Sequence, residues 1–422
     1  MNRPARLAAA ALAFVLAAGV RLAGQSYRSF SEEFESIQKR SRLRVGRLRI
    51  VPVLRLFDVG YDSNVYLTEE GGEPVGDFTA TLSPEIRGYW LATSSLILSG
   101  MDNPEFLAYA QEDALRTFSN SFSVGLRWLA LRRFSLSGEY HDLSHVRRSL
   151  SELDQKIRDT EVGETASLFF ETPRGTAIGF VGATNDYRYE DIVSGAPDDL
   201  YAQSLDRRED SAALEVYYRV FSRSHFFSTV VWRRYDFAYA ESSWRDATSV
   251  EVSGGLRFPL VGRARGTVSF GWKSFDPDSP DRTPFAGLIA ATDVFFRAGR
   301  FAFNLGLHRD NEFSYIETAY YYVDSGGRAA LSFYLFGSLR IDLGFDYGRL
   351  VYPEPGLYWD DGVPVVVDSR EDVQWNVSAG PVVRVSGTVG LGLTYNLYTR
   401  TSNAPGYDIR QEFIGAFVTY EF

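Results

Sequence analysis

The sequence has no cysteine, and it holds only two methionines and four histidines in 422 residues. Without cysteine the chain can form no disulfide, no thiolate metal site and no cysteine nucleophile. The four histidines (His141, His145, His225 and His308) offer little material for a metal centre, so we expect no metal and no other cofactor. Acidic residues outnumber basic ones by 54 to 44. That balance argues against nucleic acid as a partner, because nucleic-acid binders need a clustered basic face.

Only one long apolar run is present, over residues 7–20, and it follows the basic residues Arg3 and Arg6. The small residues Ala23 and Gly24 come next. This order is typical of a secretory signal peptide, and the run is shorter than the roughly 20 residues of a membrane-spanning helix. We therefore expect residues 1–24 to be a cleaved signal peptide. An uncleaved anchor is the alternative.

The rest of the chain alternates apolar and polar side chains in segments of about ten residues, for example over 339–348 and 389–397. Alternate side chains of a strand face opposite sides, so one face of each segment is apolar and the other is polar. A soluble sandwich and a transmembrane barrel both have this pattern. The barrel differs in turning its apolar face to lipid and its polar face to a wet interior.

The connections between segments favour the barrel. Short links, such as 91–94 and 297–300, alternate along the chain with long polar ones, such as 62–77 and 353–369. This alternation is typical of an up-and-down barrel with short periplasmic turns and longer outer loops. We predict an all-β fold, a transmembrane antiparallel barrel of about 18 strands over residues 47–422. Sixteen strands is the alternative. We expect bulges at Pro84 and Pro381, because each proline removes a ladder donor inside a strand.

Residues 25–46 precede the barrel and are interpreted as a periplasmic extension. Ser29 and Glu32 have the spacing of a helix capping box, and Phe30, Phe34 and Ile37 would share one face of a short helix. This segment either covers the periplasmic mouth, docks a partner or is a linker.

The C-terminus also favours a membrane barrel. Its alternating apolar residues end with Tyr420 and Phe422. This ending resembles the signal that the outer-membrane barrel assembly machinery recognises, so we expect that machinery and outer-membrane lipid as partners. Aromatic residues near strand ends are expected to form interfacial girdles. They are Tyr89, Trp90, Trp128, Tyr140, Tyr235, Trp272, Phe275, Tyr347 and Tyr352.

If the apolar faces meet lipid, the opposite faces line the interior. The charged residues predicted to line a pore are Glu85, Arg87, Arg127, Glu139, Glu215, Arg219, Glu251, Arg257, Lys273, Asp310, Arg340, Asp342, Asp346 and Arg384. Salt-bridged walls with no role in transport are the alternative for each of them. Tyr89, Tyr217 and Tyr398 are candidates for stacking against sugar rings, with Phe413 or Phe417, and packing within the wall is the alternative.

One phrase after the first strand resembles a known group. It consists of Gly60, Tyr61, Asp62, Ser63, Asn64, Val65 and Tyr66. The phrase is similar to one found near the start of the β-barrel porin type 2 group, which includes barrels associated with exopolysaccharide and exosortase systems. The resemblance implies an outer-membrane barrel that passes or helps to secrete a polysaccharide, with periplasmic export components as partners.

Three functional hypotheses follow. The first is a passive channel, or the outer-membrane component of exopolysaccharide export. The second is a non-conducting structural or docking barrel with a filled lumen. The third is a loop-borne hydrolase built on His141 and Asp142. We do not expect an enzyme, because no histidine has a serine two residues away on the same strand face.

Overall fold

A computed structural model describes residues 29–41, 43–147, 152, 157–191, 202–221, 224–260, 264–315, 319–360 and 363–421. The expected signal peptide and Phe422 lie outside these residues. Within these residues, a helix of eleven residues, α1 (Phe30–Arg40), precedes the strands. No helix in the described part of the chain is long and apolar enough to cross a membrane.

Nineteen strands form one continuous antiparallel sheet, and eighteen of them make up a barrel wall. The nineteenth is the three-residue strand Leu43–Val45, which pairs with the start of β1. The wall strands are β1 (Leu48–Asp62), β2 (Asp77–Thr93), β3 (Leu96–Tyr109), β4 (Thr117–Ala130), β5 (Phe134–Arg147), β6 (Ile157–Glu171), β7 (Ala177–Asp191), β8 (Arg207–Arg219), β9 (His225–Phe237), β10 (Ala247–Leu260), β11 (Ala264–Pro277), β12 (Phe285–Ala298), β13 (Phe301–Phe313), β14 (Tyr321–Tyr334), β15 (Leu339–Val351), β16 (Glu371–Arg384), β17 (Val389–Ser402) and β18 (Ile409–Glu421).

The barrel closes where the first strand meets the last. β1 pairs with β18 from Val53 opposite Glu421 to Asp62 opposite Phe413. Every other wall strand pairs with its neighbours in sequence, which is an up-and-down topology. Closure leaves the wall with no free edge, so every wall strand finds hydrogen-bond partners on both sides. The predicted closed barrel of 18 strands is thereby confirmed, and the alternative of sixteen is wrong.

Connections at the two ends of the barrel differ in length. Eight turns of two to five residues join strands at one end, and nine loops of six to nineteen residues join them at the other. The longest loop contains a hairpin of two short strands, Gly356–Asp360 and Val363–Val367. Short turns of outer-membrane barrels face the periplasm, which puts the long loops outside the cell and the start of β1 at the periplasmic end.

The exterior of the wall is apolar. On β2, Ile86 is 51% exposed whereas its neighbour Glu85 is 3% exposed. The same alternation continues on adjacent strands, where Phe106 and Phe118 are exposed. Such a surface is unfavourable in water, at about 25 cal/mol for each Å² of apolar area, and is the natural surface of a barrel in lipid. The protein is therefore a barrel of the bacterial outer membrane.

Strand-end aromatic residues divide between the two faces, which partly corrects the expected girdles. Pairing in register places Trp90, Trp128, Tyr140, Trp272 and Tyr347 on the exterior. Tyr89, Tyr235 and Phe275 face the interior, and Tyr352 lies in the loop after β15. Because neighbouring residues of a strand point to opposite faces, nearness to a strand end does not decide which face a ring occupies.

The expected bulges at Pro84 and Pro381 are wrong. The register between β2 and β3 is the same before Pro84 (Leu82 opposite Phe106) and after it. β16 and β17 likewise keep one register across Pro381. A missing donor therefore interrupts these ladders without shifting them. Irregularities lie elsewhere: Asp58 in β1 has a left-handed φ of 52° and shifts the register against both neighbouring strands, and the pairing of β2 with β3 shifts between Leu91 and Thr93.

Candidate functional site in the barrel interior

The interior face consists of the strand positions that alternate with the exposed apolar ones. All fourteen charged residues predicted to line a pore occupy such positions. Register partners share a face, so Glu251 on β10 and Lys273 on β11 lie side by side. Side chains two residues apart on a strand share a face, so residues chosen by alternation alone all lie on the same side of the wall.

Many interior charges are paired. The carboxylate of Glu85 forms an ion pair with Arg55 at 2.8 Å and also contacts Arg87. The ammonium of Lys273 lies 2.9 Å from Asp310, although β12 stands between their strands. Arg340 and Asp342 pair at 2.9 Å along one strand. Pairing of this kind keeps charges of both signs on a wall that is only partly solvated.

Three interior side chains halfway along their strands remain open to water. Glu139 on β5 and Asp293 on β12 are exposed. His308 on β13 has 52% of its side chain exposed and contacts Asp324 at 3.0 Å. Asp293 and His308 were not among the predicted residues, although the same alternation would have found them. Their exposure means that the middle of the barrel contains space for solvent.

The three tyrosines proposed for sugar stacking all face the interior, in different surroundings. Tyr89 packs against helix α1. Tyr217 is 1% exposed, packs against Phe169 and Phe227, and donates to Glu215 at 2.9 Å. Tyr398 is half-buried on β17.

Helix α1 lies against the interior wall at the periplasmic end. It begins with Ser29, whose hydroxyl accepts from the Glu32 amide at 3.3 Å, as the capping pattern predicts. Phe30 and Ile37 are buried against Leu91 and Ile97, which are interior residues next to a short turn. The apolar face of the helix thus covers part of the wall, and its polar face is left to the lumen.

Glu33 of the same helix forms an ion pair with Arg127 on β4. Arg127 was predicted to line the pore, but its charge is taken up by a segment that comes before the barrel in the sequence. The helix is therefore held to the wall by both apolar contacts and a charge pair.

An aromatic cluster occupies the interior near the outer loops. Arg207 on β8 adds a cation over the rings of Tyr187 and Phe313, at 4.7 and 5.2 Å. The ring-bearing members of the cluster are Tyr189, Tyr235, Phe237, Phe275, Phe285, Phe313, Tyr320 and Tyr321. These residues come from β7 to β14 and the loops above them, so the cluster narrows that side of the lumen at its outer end.

The outer loops are tied to one another above this cluster. The guanidinium groups of Arg245 and Arg282 lie 4.2 and 4.0 Å from the centre of the Trp244 ring. Glu354, from the loop after β15, accepts from Arg282 at 3.3 Å and from the Tyr320 amide at 3.0 Å. Four different loops are thereby joined into one structure.

Glu152, which lies between β5 and β6 in the sequence, contacts residues from the other side of the barrel. Its buried carboxylate accepts from the Ser314 hydroxyl at 2.6 Å and the Tyr315 amide at 2.9 Å. Its carbonyl oxygen accepts from Arg400 on β17 at 3.3 Å. Burial raises the pKa of the Glu152 carboxyl to about 7. This contact was not predicted, because it joins residues far apart in sequence.

The phrase at residues 60–66 closes the outer end of the seam between β1 and β18. Asp62 accepts from the Gln411 side chain, and the Ser63 hydroxyl accepts from the Glu412 amide at 2.8 Å. The Asn64 side chain donates to the carbonyls of Thr68 and Arg410. These bonds continue the pairing of the first and last strands past their ends. The phrase therefore has a structural role at barrel closure.

A serine and a histidine also meet on the interior wall. The Ser121 hydroxyl on β4 lies 2.8 Å from Nε2 of His145 on β5. The pair lies across two strands, so spacing along a single strand does not reveal it.

No protein-family model matches the sequence, and no curated protein sequence matches it. Membership of the porin type 2 group therefore stays a prediction.

Among solved structures, OccK1 (OpdK) from Pseudomonas aeruginosa is similar, with a TM-score of 0.50 and 10% identity over 89% of this chain and 98% of that one. A BenF-like porin from Pseudomonas fluorescens Pf-5 gives a TM-score of 0.49 and 10% identity, covering 90% and 99%. OccK3 (OpdO) from P. aeruginosa gives 0.48 and 13%, covering 90% and 96%. At this identity the likeness concerns the fold alone. The chain has the fold of an outer-membrane porin.

Proposed function

We propose that the protein is a passive channel that lets small hydrophilic solutes cross the outer membrane. The observation that carries this proposal is the exposure of Glu139, Asp293 and His308 on the interior face at mid-barrel. Charged groups in the middle of a barrel stay exposed only where water reaches them, and a barrel of this strand number generally encloses an aqueous space.

The size of the solute is limited by what fills the two ends. Helix α1 covers the wall of β2 to β4 at the periplasmic end, and the aromatic cluster narrows the lumen at the outer end. A folded protein would have to displace both. Ions and small polar molecules are therefore the class of substrate that this lumen favours.

Export of an exopolysaccharide is a second candidate. It is favoured by Tyr398, Phe413 and Phe417, which are half-buried on the interior of β17 and β18. These strands contribute no residue to the aromatic cluster. Aromatic rings along a wet wall are suited to stack against sugar faces.

The test is single-channel recording of the refolded protein in planar bilayers. We expect stepwise currents, and their absence for a protein that shows the heat-dependent gel shift of a folded barrel would contradict the channel and favour the non-conducting alternative. Oligosaccharides added to the bath distinguish the second candidate. If Tyr398, Phe413 and Phe417 bind sugar, the added oligosaccharides should block the current. Tyr398→Ala should then reduce the block, whereas Tyr395→Ala, on the outer face of the same strand, should not.

A further inference from the structure

Helix α1 presents the exposed acid Glu32 to the mouth that it covers. Its apolar residues Phe30 and Ile37 are buried against the wall, while Glu32 and Glu35 are exposed on the remaining surface, where Glu35 pairs with Lys39 at 2.8 Å. Glu33, between the two surfaces, pairs with Arg127. The helix is therefore held in one rotational position, in which its carboxylates border the periplasmic opening.

A row of basic residues lies on other strands at the same end. His225, the first residue of β9, is directly opposite Arg219 on β8 and Arg257 on β10. Register partners share a face, so the three side chains stand side by side on the interior rim. Arg219 is exposed, and its guanidinium lies against Gly175 in the adjoining turn.

Helix α1 and the basic row border the same periplasmic opening from different parts of the wall. The α1 contacts lie on β2 to β4, and the basic row lies on β8 to β10, about a third of the way around the barrel. Burial lowers the pKa of the His225 imidazole and the charge of Glu32 opposes that shift, so the fixed positive charges of the row are those of Arg219 and Arg257. Opposite charges that border a narrow aqueous passage create a field across it and select permeating ions by charge.

We propose that helix α1 and the Arg219–His225–Arg257 row form the charge-selective constriction of the channel, with Glu32 as a selectivity-determining residue. This inference rests on the proposed channel function. The permeating species that it concerns are small ions and charged solutes. Salt screens such an effect, so selectivity should be strongest at low ionic strength.

The first experiment measures the reversal potential of the channel in a salt gradient for wild type, Glu32→Lys and Glu73→Lys. Glu73 is an exposed acid of the outer loop between β1 and β2, so its reversal gives the same change in net charge away from the periplasmic end. We expect Glu32→Lys to lower the permeability of cations relative to anions at least about twofold in dilute salt. Glu73→Lys should leave the ratio unchanged. Equal ratios for the two variants would overturn the proposal.

A second experiment tests the position of the helix without relying on current. Because the chain has no cysteine, Glu33→Cys with Arg127→Cys creates the only two thiols. A short bifunctional thiol reagent should link them in protein reconstituted in lipid, and the linked protein should conduct. Linking without current in any variant, wild type included, would contradict the channel function itself. Current without linking would show that the channel conducts while α1 lies elsewhere, which overturns this inference alone.

Discussion

Gln411 joins the last strand of the barrel to the first through Asp62. Its amide nitrogen donates to both carboxylate oxygens of Asp62, at 2.9 and 2.8 Å, on the interior side of the seam. Next to this pair, the Asn64 side chain bonds to the backbone of Thr68 and of Arg410. The seam is the only junction of the wall that pairs strands distant in sequence, so its side-chain bonds bear directly on closure.

Removing the Asn64 amide should weaken closure. Asn64→Ala eliminates three part-buried hydrogen bonds between the Asn64 side chain and the backbone of Thr68 and Arg410, so we expect the free energy of unfolding to fall by about 1–3 kcal/mol. Urea titration in detergent, followed by the gel shift of the folded barrel, measures this loss. Glu73→Ala in the same loop is the control, since Glu73 is exposed. Equal stability of the two variants would mean that the bonds do not contribute to closure.

The pair of Lys273 and Asp310 allows a second test. Both side chains are largely buried and lie 2.9 Å apart. Lys273→Met leaves a buried carboxylate without its cation, and we expect a cost of about 3–5 kcal/mol. Lys273→Met combined with Asp310→Leu should cost less than Lys273→Met alone, because the double change removes the carboxylate of Asp310 together with its cation. A double variant whose loss equals the sum of the two single losses would show that the residues act independently.

Alternation in the sequence was sufficient to predict the wall and its interior face. A strand has a period of two, so one apolar position determines the face of all the others, as with Leu343 outside and Asp342 inside. The faces of the strand-end aromatic residues were harder to predict, because an error of one residue in the strand register moves a ring to the opposite face. Tyr89 and Trp90, for example, are neighbours in sequence but lie on opposite sides of the wall. Bulge positions were also missed, since the backbone of Asp58 carries no compositional signal.

Contacts between segments distant in sequence could not be predicted. The amphipathic pattern of residues 29–40 predicted a helix correctly, but an apolar helix face fits any apolar surface and does not identify the wall beside Leu91 as its partner. Glu152 lies in a polar stretch of sequence, which predicts a solvated charge. In the structure it is buried, with hydrogen bonds to Ser314 and Arg400 that no local pattern indicates. These contacts determine how open the lumen is, which is why function was less predictable than fold.

Water-exposed acids at mid-lumen should favour cations. We expect Asp293→Asn to lower the permeability of cations relative to anions, and Asp293→Lys to lower it further, because the local charge then changes sign. Reversal potentials in a salt gradient measure the ratio. Asp113→Asn, in an outer loop, is the matched control, since Asp113 is exposed on a short helical turn. A ratio that is the same for all these variants would place the ion path away from Asp293.

The stability contributed by Glu152 should depend on pH. Burial raises its pKa from 4.5 to about 7, so between these values the folded protein binds more protons than the unfolded chain. The contribution is therefore fully present below about pH 4.5 and is lost as the pH rises through about 7, at up to roughly 1.4 kcal/mol per pH unit. Glu152→Gln, which stays neutral, should lack this dependence. Urea titrations of both proteins from pH 5 to 8 measure it. Wild-type stability should fall relative to Glu152→Gln as the pH rises, and parallel curves would show that Glu152 does not titrate in its buried position.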